Sequence, residues 1–294
     1  KNSGDLGNFQ LERKGLLMLY KTEESYLHEK KVAYRVAQEG LEVTDLNKDE
    51  LRNIEPHVNI DAEGAIHYEC DAHTTPNEIM PKLLAYLKQS GVIIKTQEEV
   101  VDLKTSDNRI KEIITNKQSY TPDEVVLAAG SWSGDLAKRL HLKLSLQGGK
   151  GYSINVARET GISVPAILME SKMAVTPMSG FTRFAGTMEF SGNNNIIRKE
   201  RVAAIANGAS SFYPDLKINE AEIKSVKTGL RPVSPDGLPY IGRSASIKNL
   251  TIGTGHAMMG WSLGPATGKL ITELLSGNKT SMDISSFDIQ RSFT

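Results

Sequence analysis

Short apolar runs between polar turns predict strands along most of the chain. The predicted strands lie at residues 15–20, 91–94, 99–103, 109–114, 125–129, 152–156, 173–176 and 182–190. Apolar residues at helical spacing predict helices from Thr75 and from about Ser262. A charged, loosely patterned helix is predicted at residues 23–38, and another helix at 48–56, where Pro56 ends it. Together these elements predict a chain that mixes helices with several short-stranded sheets.

Two sequence signals predict helix ends. Thr75-Pro76-Asn77-Glu78 has the pattern of a capping box with proline at the first helical position. Gly277 follows the last predicted helix and is a typical C-terminal stop.

Composition sets broad limits on this sequence of 294 residues. Lys plus Arg equals Asp plus Glu at 35 each, so the charge balance predicts no nucleic-acid partner. The one cysteine, Cys70, excludes an internal disulfide, and we expect it to be a buried small residue. No apolar segment approaches the roughly 18 residues needed to cross a bilayer.

Arg231 lies between proline and glycine neighbours in the segment Thr228–Gly242. A guanidinium in rigid surroundings suits bidentate binding of a carboxylate, because its planar fork matches two oxygens and it stays charged. For a single arginine, an ordinary surface loop is an equal alternative. Arg231 becomes a specific candidate for carboxylate binding only when the motifs beside it are considered with it.

A second glycine-rich segment, Gly253–Gly264, leads into the last predicted helix. Glycine allows a flat or anionic group to approach the backbone closely. The free N–H groups and the dipole at a helix N-terminus stabilise negative charge. This arrangement suits the N1–C2=O edge of a reduced flavin, or a phosphate.

These segments resemble the FAD-dependent D-amino acid oxidase superfamily, and most closely its bacterial D-amino acid dehydrogenase branch. The matching elements are Gly229–Pro232, Pro235–Gly242, Thr254–Trp261, Glu124–Ser133, Lys150–Ser153 and Asp283–Arg291. Matches run from about residue 12 to the end, so the resemblance covers nearly the whole chain.

Members of this family open with a strand, a Gly-x-Gly-x-x-Gly turn and a helix that hold the dinucleotide. The present sequence has no such turn, since its first glycines, Gly4, Gly7 and Gly15, follow no predicted strand. We therefore expect the chain to be the C-terminal two thirds of an enzyme. We also expect this part to bind FAD weakly on its own.

The resemblance implies an α+β (α/β) fold of two interleaved domains. An incomplete FAD/NAD(P)-binding-like domain is expected at residues 71–146 and 229–280. An antiparallel or mixed-sheet substrate domain is expected at residues 10–70 and 147–228.

The resemblance also implies FAD-dependent oxidative deamination. In this family the carboxylate of a D-amino acid lies on an arginine, the α-hydrogen leaves as hydride to flavin N5, and the imine hydrolyses to a 2-oxo acid and ammonia. Arg231 has the motif position of that arginine, and Met188 matches a residue that lines the substrate side chain in glycine oxidases. His256 can donate to the flavin or the substrate. The alternatives are a packed methionine and a structural histidine.

The resemblance assigns cofactor contacts by position. The residues that match the backbone around the isoalloxazine ring are Ala257, Met258, Met259, Gly260 and Trp261. Val101 matches a position at the adenine, while Ala129, Gly130 and Trp132 match the loop near the pyrophosphate or the ribityl chain. FAD is the expected cofactor, and no metal ion is expected.

The substrate is left open, because Ala174 stands where many relatives place a tyrosine over the substrate. A second hypothesis is a flavin oxidase or dehydrogenase of sarcosine, glycine or D-hydroxyproline. A third is a non-catalytic domain with an inherited, inactive site. The resemblance implies a cytoplasmic protein that can lie peripherally on the inner membrane and that passes electrons to a quinone or to oxygen.

Overall fold

The structure, a computed structural model, describes residue 4 and residues 6–293. Its α-helices are α1 (Glu23–Gln38), α2 (Lys48–Ile54), α3 (Pro76–Gln89), α4 (Ser133–Arg139), α5 (Lys199–Phe212), α6 (Glu220–Lys224) and α7 (Gly260–Leu275). Short 3-10 turns cover Gly130–Trp132 and Ser285–Phe287.

The strands are β1 (Leu11–Glu12), β2 (Leu16–Tyr20), β3 (Val43–Asn47), β4 (Gly64–Tyr68), β5 (His73–Thr74), β6 (Val100–Ser106), β7 (Arg109–Thr115), β8 (Ser119–Tyr120), β9 (Val125–Leu127), β10 (Gln147–Val156), β11 (Ala166–Leu168), β12 (Met173–Met178), β13 (Phe181–Glu189), β14 (Lys227–Val233), β15 (Tyr240–Arg243) and β16 (Leu250–Thr254). The largest sheet has the order β14-β10-β13-β12-β11-β2-β4-β3, and smaller sheets are β15-β16-β9, β6-β7-β8 and β1-β5. This architecture confirms the predicted α+β (α/β) class.

Local signals account for the helix ends that were predicted correctly. At the start of α1, the Thr22 side chain accepts a hydrogen bond from Ser25 N, and Glu23 and Glu24 lie in the first turn. Both features stabilise a helix N-terminus. Gly277 follows α7 with φ 70, the left-handed conformation that favours glycine at a helix end.

Three local predictions are wrong. Thr75 makes no capping bond to α3, because its hydroxyl instead accepts from Ser179 N at 2.8 Å and bonds the Gln10 side chain. Residues 91–94 form no strand, and Ile93 there is 80% exposed. Cys70 is exposed, because it lies in the turn that follows β4.

The described chain divides into two compact units. Unit 1 comprises the described residues up to Ile94 together with Gly151–Thr187 and Ile196–Thr228. Its core packs one face of β2, β11 and β12 against α5, and includes Leu19, Ile154 and Phe212, each 0% exposed.

Unit 2 comprises Lys95–Lys150, Met188–Asn195 and the described residues from Gly229 onward. In its sheet β16 pairs with β9 in parallel and with β15 antiparallel. The buried Asn249 side chain accepts from Ile110 N at 2.8 Å and donates to Ile110 O at 3.0 Å, which ties β7 to the start of β16. Asn249 thereby satisfies backbone groups that would otherwise be buried without partners.

The units differ from the predicted domains mainly at residues 71–94, which lie in unit 1. Of the five boundaries between the units, three fall within β10, β13 and β14, and two fall in loops. The assignment of flavin and substrate roles to the predicted segments stays a prediction.

Candidate active site

Arg231 lies on β14 with its guanidinium half-buried and unpaired. Its Nη1 is buried without a hydrogen-bond partner among the described residues. Burial lowers the pKa of the Arg231 guanidinium, although the group stays charged near neutral pH. A buried cation without a counter-ion is costly unless a ligand supplies the negative charge. An anion bound at Arg231 would supply that charge.

The end of β14 is held by the loop that precedes α7. Ala257 N donates to Pro232 O over 2.9 Å, and Val233 forms an antiparallel bridge with His256. The two glycine-rich segments of the sequence therefore meet beside Arg231.

The same loop turns through two residues with positive φ, Gly255 at 86° and Ala257 at 47°. A Cβ on Gly255 would lie 3.1 Å from Tyr240 Cδ2 and 3.3 Å from Leu146 Cδ2. Glycine is needed there for conformation and for space. An alanine at positive φ is unusual, and such strained residues concentrate at ligand sites.

Helix α7 begins at Gly260 without a side-chain cap. Its first N–H groups have no partners within the helix, and the helix dipole makes this end positive. Met258, Met259 and Trp261 around it are 68%, 55% and 47% exposed. A Cβ on Gly260 would meet only His256 Cβ, at 3.5 Å, so the missing side chain leaves room for an outside group. Donors within an apolar rim fit the edge of a flavin ring.

His256 braces this loop against α7. Its Nε2 lies 2.8 Å from Thr267 Oγ1, which also donates to Leu263 O at 3.0 Å. Burial lowers the pKa of His256, so the ring is neutral near pH 7. These contacts favour the structural alternative for this histidine.

Met188 lies at the end of β13 against β10. A Cβ on Gly149 would overlap the Met188 Sδ and would lie 3.0 Å from Val233 Cγ2. Val233 and Arg231 are two residues apart on β14, so they face the same side of the sheet. The structure therefore places Met188 and Arg231 along one face of three adjacent strands.

The predicted loop Ala129–Trp132 follows β9 and is tied to the end of β16. Thr254 Oγ1 donates to Gly130 O at 3.2 Å, and Gly130 has φ 55. A Cβ on Gly130 would meet nothing within 4 Å, and Trp132 is 56% exposed. The loop is thus anchored on one side and open on the other.

An apolar groove of about 330 Å³ lies between β6, β7, β9 and α4. Ala129 and Val100 are among its lining residues. The predicted adenine contact Val101 is half-buried on β6, and its neighbour Val100 lies on the groove instead.

A polar cluster at β10 and β13 was not predicted from the sequence. Lys150 and Glu189 form an ion pair at 3.1 Å, and their side chains are 1% and 6% exposed. Lys150 Nζ donates to Asn194 Oδ1 at 2.7 Å, and Ser191 Oγ donates to Glu189 Oε1 at 2.6 Å. The available signal was the matching element Lys150–Ser153, which places this lysine just before the predicted strand at residues 152–156.

A second missed contact holds the turn after β14. Arg291 donates to both carboxylate oxygens of Asp236, at 2.7 and 3.0 Å. Its guanidinium also lies 3.9 Å from the centre of the Tyr240 ring. Hydrogen bonding by Arg291 lowers the pKa of Asp236 to about 2. The closing segment of the chain is thereby fixed to the motif that contains Arg231.

Among the described helices, none has the length and apolar character needed to cross a membrane. Within the same residues, no three His, Cys, Asp or Glu side chains are grouped as metal ligands.

Comparisons with known proteins identify the family and the fold. The family described as DAO, FAD dependent oxidoreductase, matches residues 4–274. A D-amino acid dehydrogenase from Helicobacter pylori is 31% identical over 284 residues, covering 95% of this chain and 67% of that protein. The crystal structure of glycine oxidase from Geobacillus kaustophilus matches with a TM-score of 0.88 at 24% identity, covering 97% of this chain and 77% of that chain. Glycine oxidase from Bacillus cereus matches with a TM-score of 0.84 at 26% identity, covering 97% and 78%.

Proposed function

Because the chain belongs to the DAO family of FAD-dependent oxidoreductases, we propose that it carries the substrate site of an enzyme that oxidises D-amino acids to 2-oxo acids and ammonia. The observation that carries the proposal is the half-buried guanidinium of Arg231, whose Nη1 has no partner among the described residues. A carboxylate matches the fork of this group and compensates its charge. The D-amino acid dehydrogenase from Helicobacter pylori supports this substrate class.

Arg231 fixes the carboxylate, and thereby orients the α-carbon of the substrate toward the loop before α7. When bound, FAD would supply the two-electron acceptor for the α-hydrogen, which would leave as hydride. The backbone of Ala257–Trp261 would border the ring, and the positive end of the α7 dipole would stabilise negative charge that develops on the ring edge. Because a neutral amine needs no general base, positioning and electrostatics carry the rate. The resulting imine is hydrolysed by water to the 2-oxo acid and ammonia.

We assign the predicted cofactor contacts to different parts of FAD according to their positions in unit 2. We place the uncapped start of α7 at the isoalloxazine ring, since its exposed neighbours Met258, Met259 and Trp261 offer apolar contact. We place the loop Ala129–Trp132 nearer the pyrophosphate or ribityl chain, because Gly130 leaves its outer side open. His256 has a positioning role, through its contact with Thr267.

The test uses full-length protein reconstituted with FAD. We expect anaerobic D-alanine, but not L-alanine, to bleach the flavin absorbance. Arg231→Leu should raise KM for D-alanine by roughly a hundredfold, because loss of a charge-assisted bidentate pair costs about 3 kcal/mol. Arg231→Lys is the matched control, since it keeps the charge but not the fork, and we expect an intermediate KM. An unchanged KM in Arg231→Leu would show that this residue does not bind the carboxylate.

A second candidate function is oxidation of glycine, sarcosine or D-hydroxyproline, favoured by the match to glycine oxidase from Bacillus cereus. Assays of these amines beside D-alanine distinguish the two candidate functions, because the true substrate class gives the higher kcat/KM. Flavin that is bound but reduced by no amine would support the non-catalytic alternative.

A further inference from the structure

Gly149 leaves the space that the Met188 side chain fills. It lies on β10, whose neighbours in the sheet are β13 and β14. A Cβ at this position would overlap the Met188 Sδ and would lie 3.3 Å from Met188 Cγ and 3.0 Å from Val233 Cγ2. Any side chain at position 149 must therefore displace a neighbour, and the unbranched thioether of Met188 is the one that moves most easily.

This contact lies on the same side of the sheet as the proposed carboxylate anchor. Val233 touches the Gly149 position, and Arg231 precedes it by two residues on β14. Residues two apart on a strand point to the same side. A substrate held by Arg231 therefore presents its other groups along the face that Met188 borders.

Thr187, which precedes Met188, has a left-handed backbone conformation that directs the Met188 side chain. Thr187 has φ 64, which is rare for a β-branched residue, and its Oγ1 is buried without a partner among the described residues. Along β13, Phe184 and Gly186 are buried in alternation, and the next buried residue is Glu189. The alternation shifts by one position at Thr187, as in a β-bulge, and such bulges re-aim side chains next to active sites.

The adjacent glycine provides a matched comparison. A Cβ on Gly148 would overlap Asn193 Oδ1 and would lie 3.5 Å from Leu230 Cδ2. Its clash is thus also with the tip of one side chain. Successive residues of a strand point to opposite faces. Gly148→Ala therefore measures the effect of an added methyl group on β10 at the face opposite to the one that carries Arg231.

We propose that Gly149 is a specificity-determining residue, which sets the position of the Met188 thioether and thereby the size of the side chain that the amine substrate can carry. The inference rests on the proposed function, because it takes Arg231 as the carboxylate anchor. With glycine at position 149, Met188 lies back against β10 and leaves room for an apolar substrate side chain. A larger residue at position 149 pushes the thioether into that room.

The experiment compares Gly149→Ala, Met188→Ala, the double variant and Gly148→Ala in full-length protein with FAD. Each variant is assayed with D-alanine and with D-norleucine, which differ only in side-chain length. We expect Gly149→Ala to lower kcat/KM for D-norleucine relative to D-alanine by roughly tenfold, the effect of a methylene in an apolar pocket. The double variant should return the ratio to within about threefold of the original value, because the displaced thioether is gone. Gly148→Ala should leave the ratio unchanged.

A binding readout keeps the inference testable if turnover is weak. Propanoate and hexanoate are titrated against the flavin absorbance of each variant, and Gly149→Ala should weaken hexanoate selectively. Equal effects of Gly148→Ala and Gly149→Ala on the ratio, or no recovery in the double variant, would overturn the inference. A protein that oxidises no D-amino acid would instead overturn the proposed function, while the carboxylate titration still decides whether Gly149 controls size.

Discussion

Removing one charge of the Lys150–Glu189 pair should destabilise unit 2 far more than removing both. The charged atoms are 3.1 Å apart, and the side chains are 1% and 6% exposed. At an effective dielectric constant of about 20 their attraction is about 5 kcal/mol, much of which offsets the desolvation of both ions. Lys150→Met removes the ammonium from the buried Glu189 carboxylate, so we expect a loss of about 3–5 kcal/mol.

The double variant Lys150→Met, Glu189→Leu should recover at least about 2 kcal/mol of that loss, since neither charge of the pair then stays buried. The control is Lys138→Met in the same unit. It breaks an ion pair with Asp135 of similar length, 3.2 Å, whose side chains are 77% and 64% exposed. We expect that loss to be below about 0.5 kcal/mol, because solvent screens the pair.

Both tryptophans of the sequence, Trp132 and Trp261, lie in unit 2. Urea unfolding followed by tryptophan fluorescence therefore reports the free energy of unfolding of this unit. Equal midpoints for Lys150→Met and Lys138→Met would refute the reasoning, since burial is the difference between the two pairs. A double variant no more stable than Lys150→Met would show that the two charges are not coupled.

Two further predictions concern ionisable groups of unit 2. Arg291→Leu should cost about 1 kcal/mol at neutral pH, because Asp236 is 30% exposed and its contact is partly screened. Arg291 lowers the pKa of Asp236 to about 2, so this contribution is present above about pH 4 and is lost as the pH falls toward 2. Urea unfolding at neutral pH and near pH 3 tests it, and a cost independent of pH would contradict it. Burial lowers the pKa of His256, so stability should fall as the pH drops below about 6.5. His256→Gln, which can still bond Thr267, should flatten the melting temperature between about pH 7 and pH 5, and an unaltered profile would contradict this role.

Local patterns predict the elements that depend on nearby residues. Helix α1 covers residues 23–38 as expected, because its cap and its first-turn acids lie within the same segment. Glycine spacing and a helical pattern also predict the loop into α7, since both are local. Arg231 is predicted as a candidate in the same way, because its proline and glycine neighbours adjoin it in sequence.

Contacts across the sheet could not be predicted in this way. Thr75 has every local feature of a cap, yet its hydroxyl bonds Ser179 and Gln10, which are distant in sequence. Lys150 and Glu189 become partners only because β10 and β13 are adjacent. A strand order is a property of the whole fold, so residue spacing does not disclose it.

The two faces of β10 together explain why its pairing register is strongly specified. Gly149 must lie on the face with Met188, where any Cβ would overlap the thioether. Lys150 must lie where it reaches Glu189, since its buried ammonium depends on that carboxylate. A slip of one residue would exchange these faces, bringing a charged side chain against Met188 and removing the partner of Glu189. Gly149 and Lys150 therefore both disfavour a one-residue slip of β10. The correct register in turn places Met188 on the face of the sheet that carries Arg231.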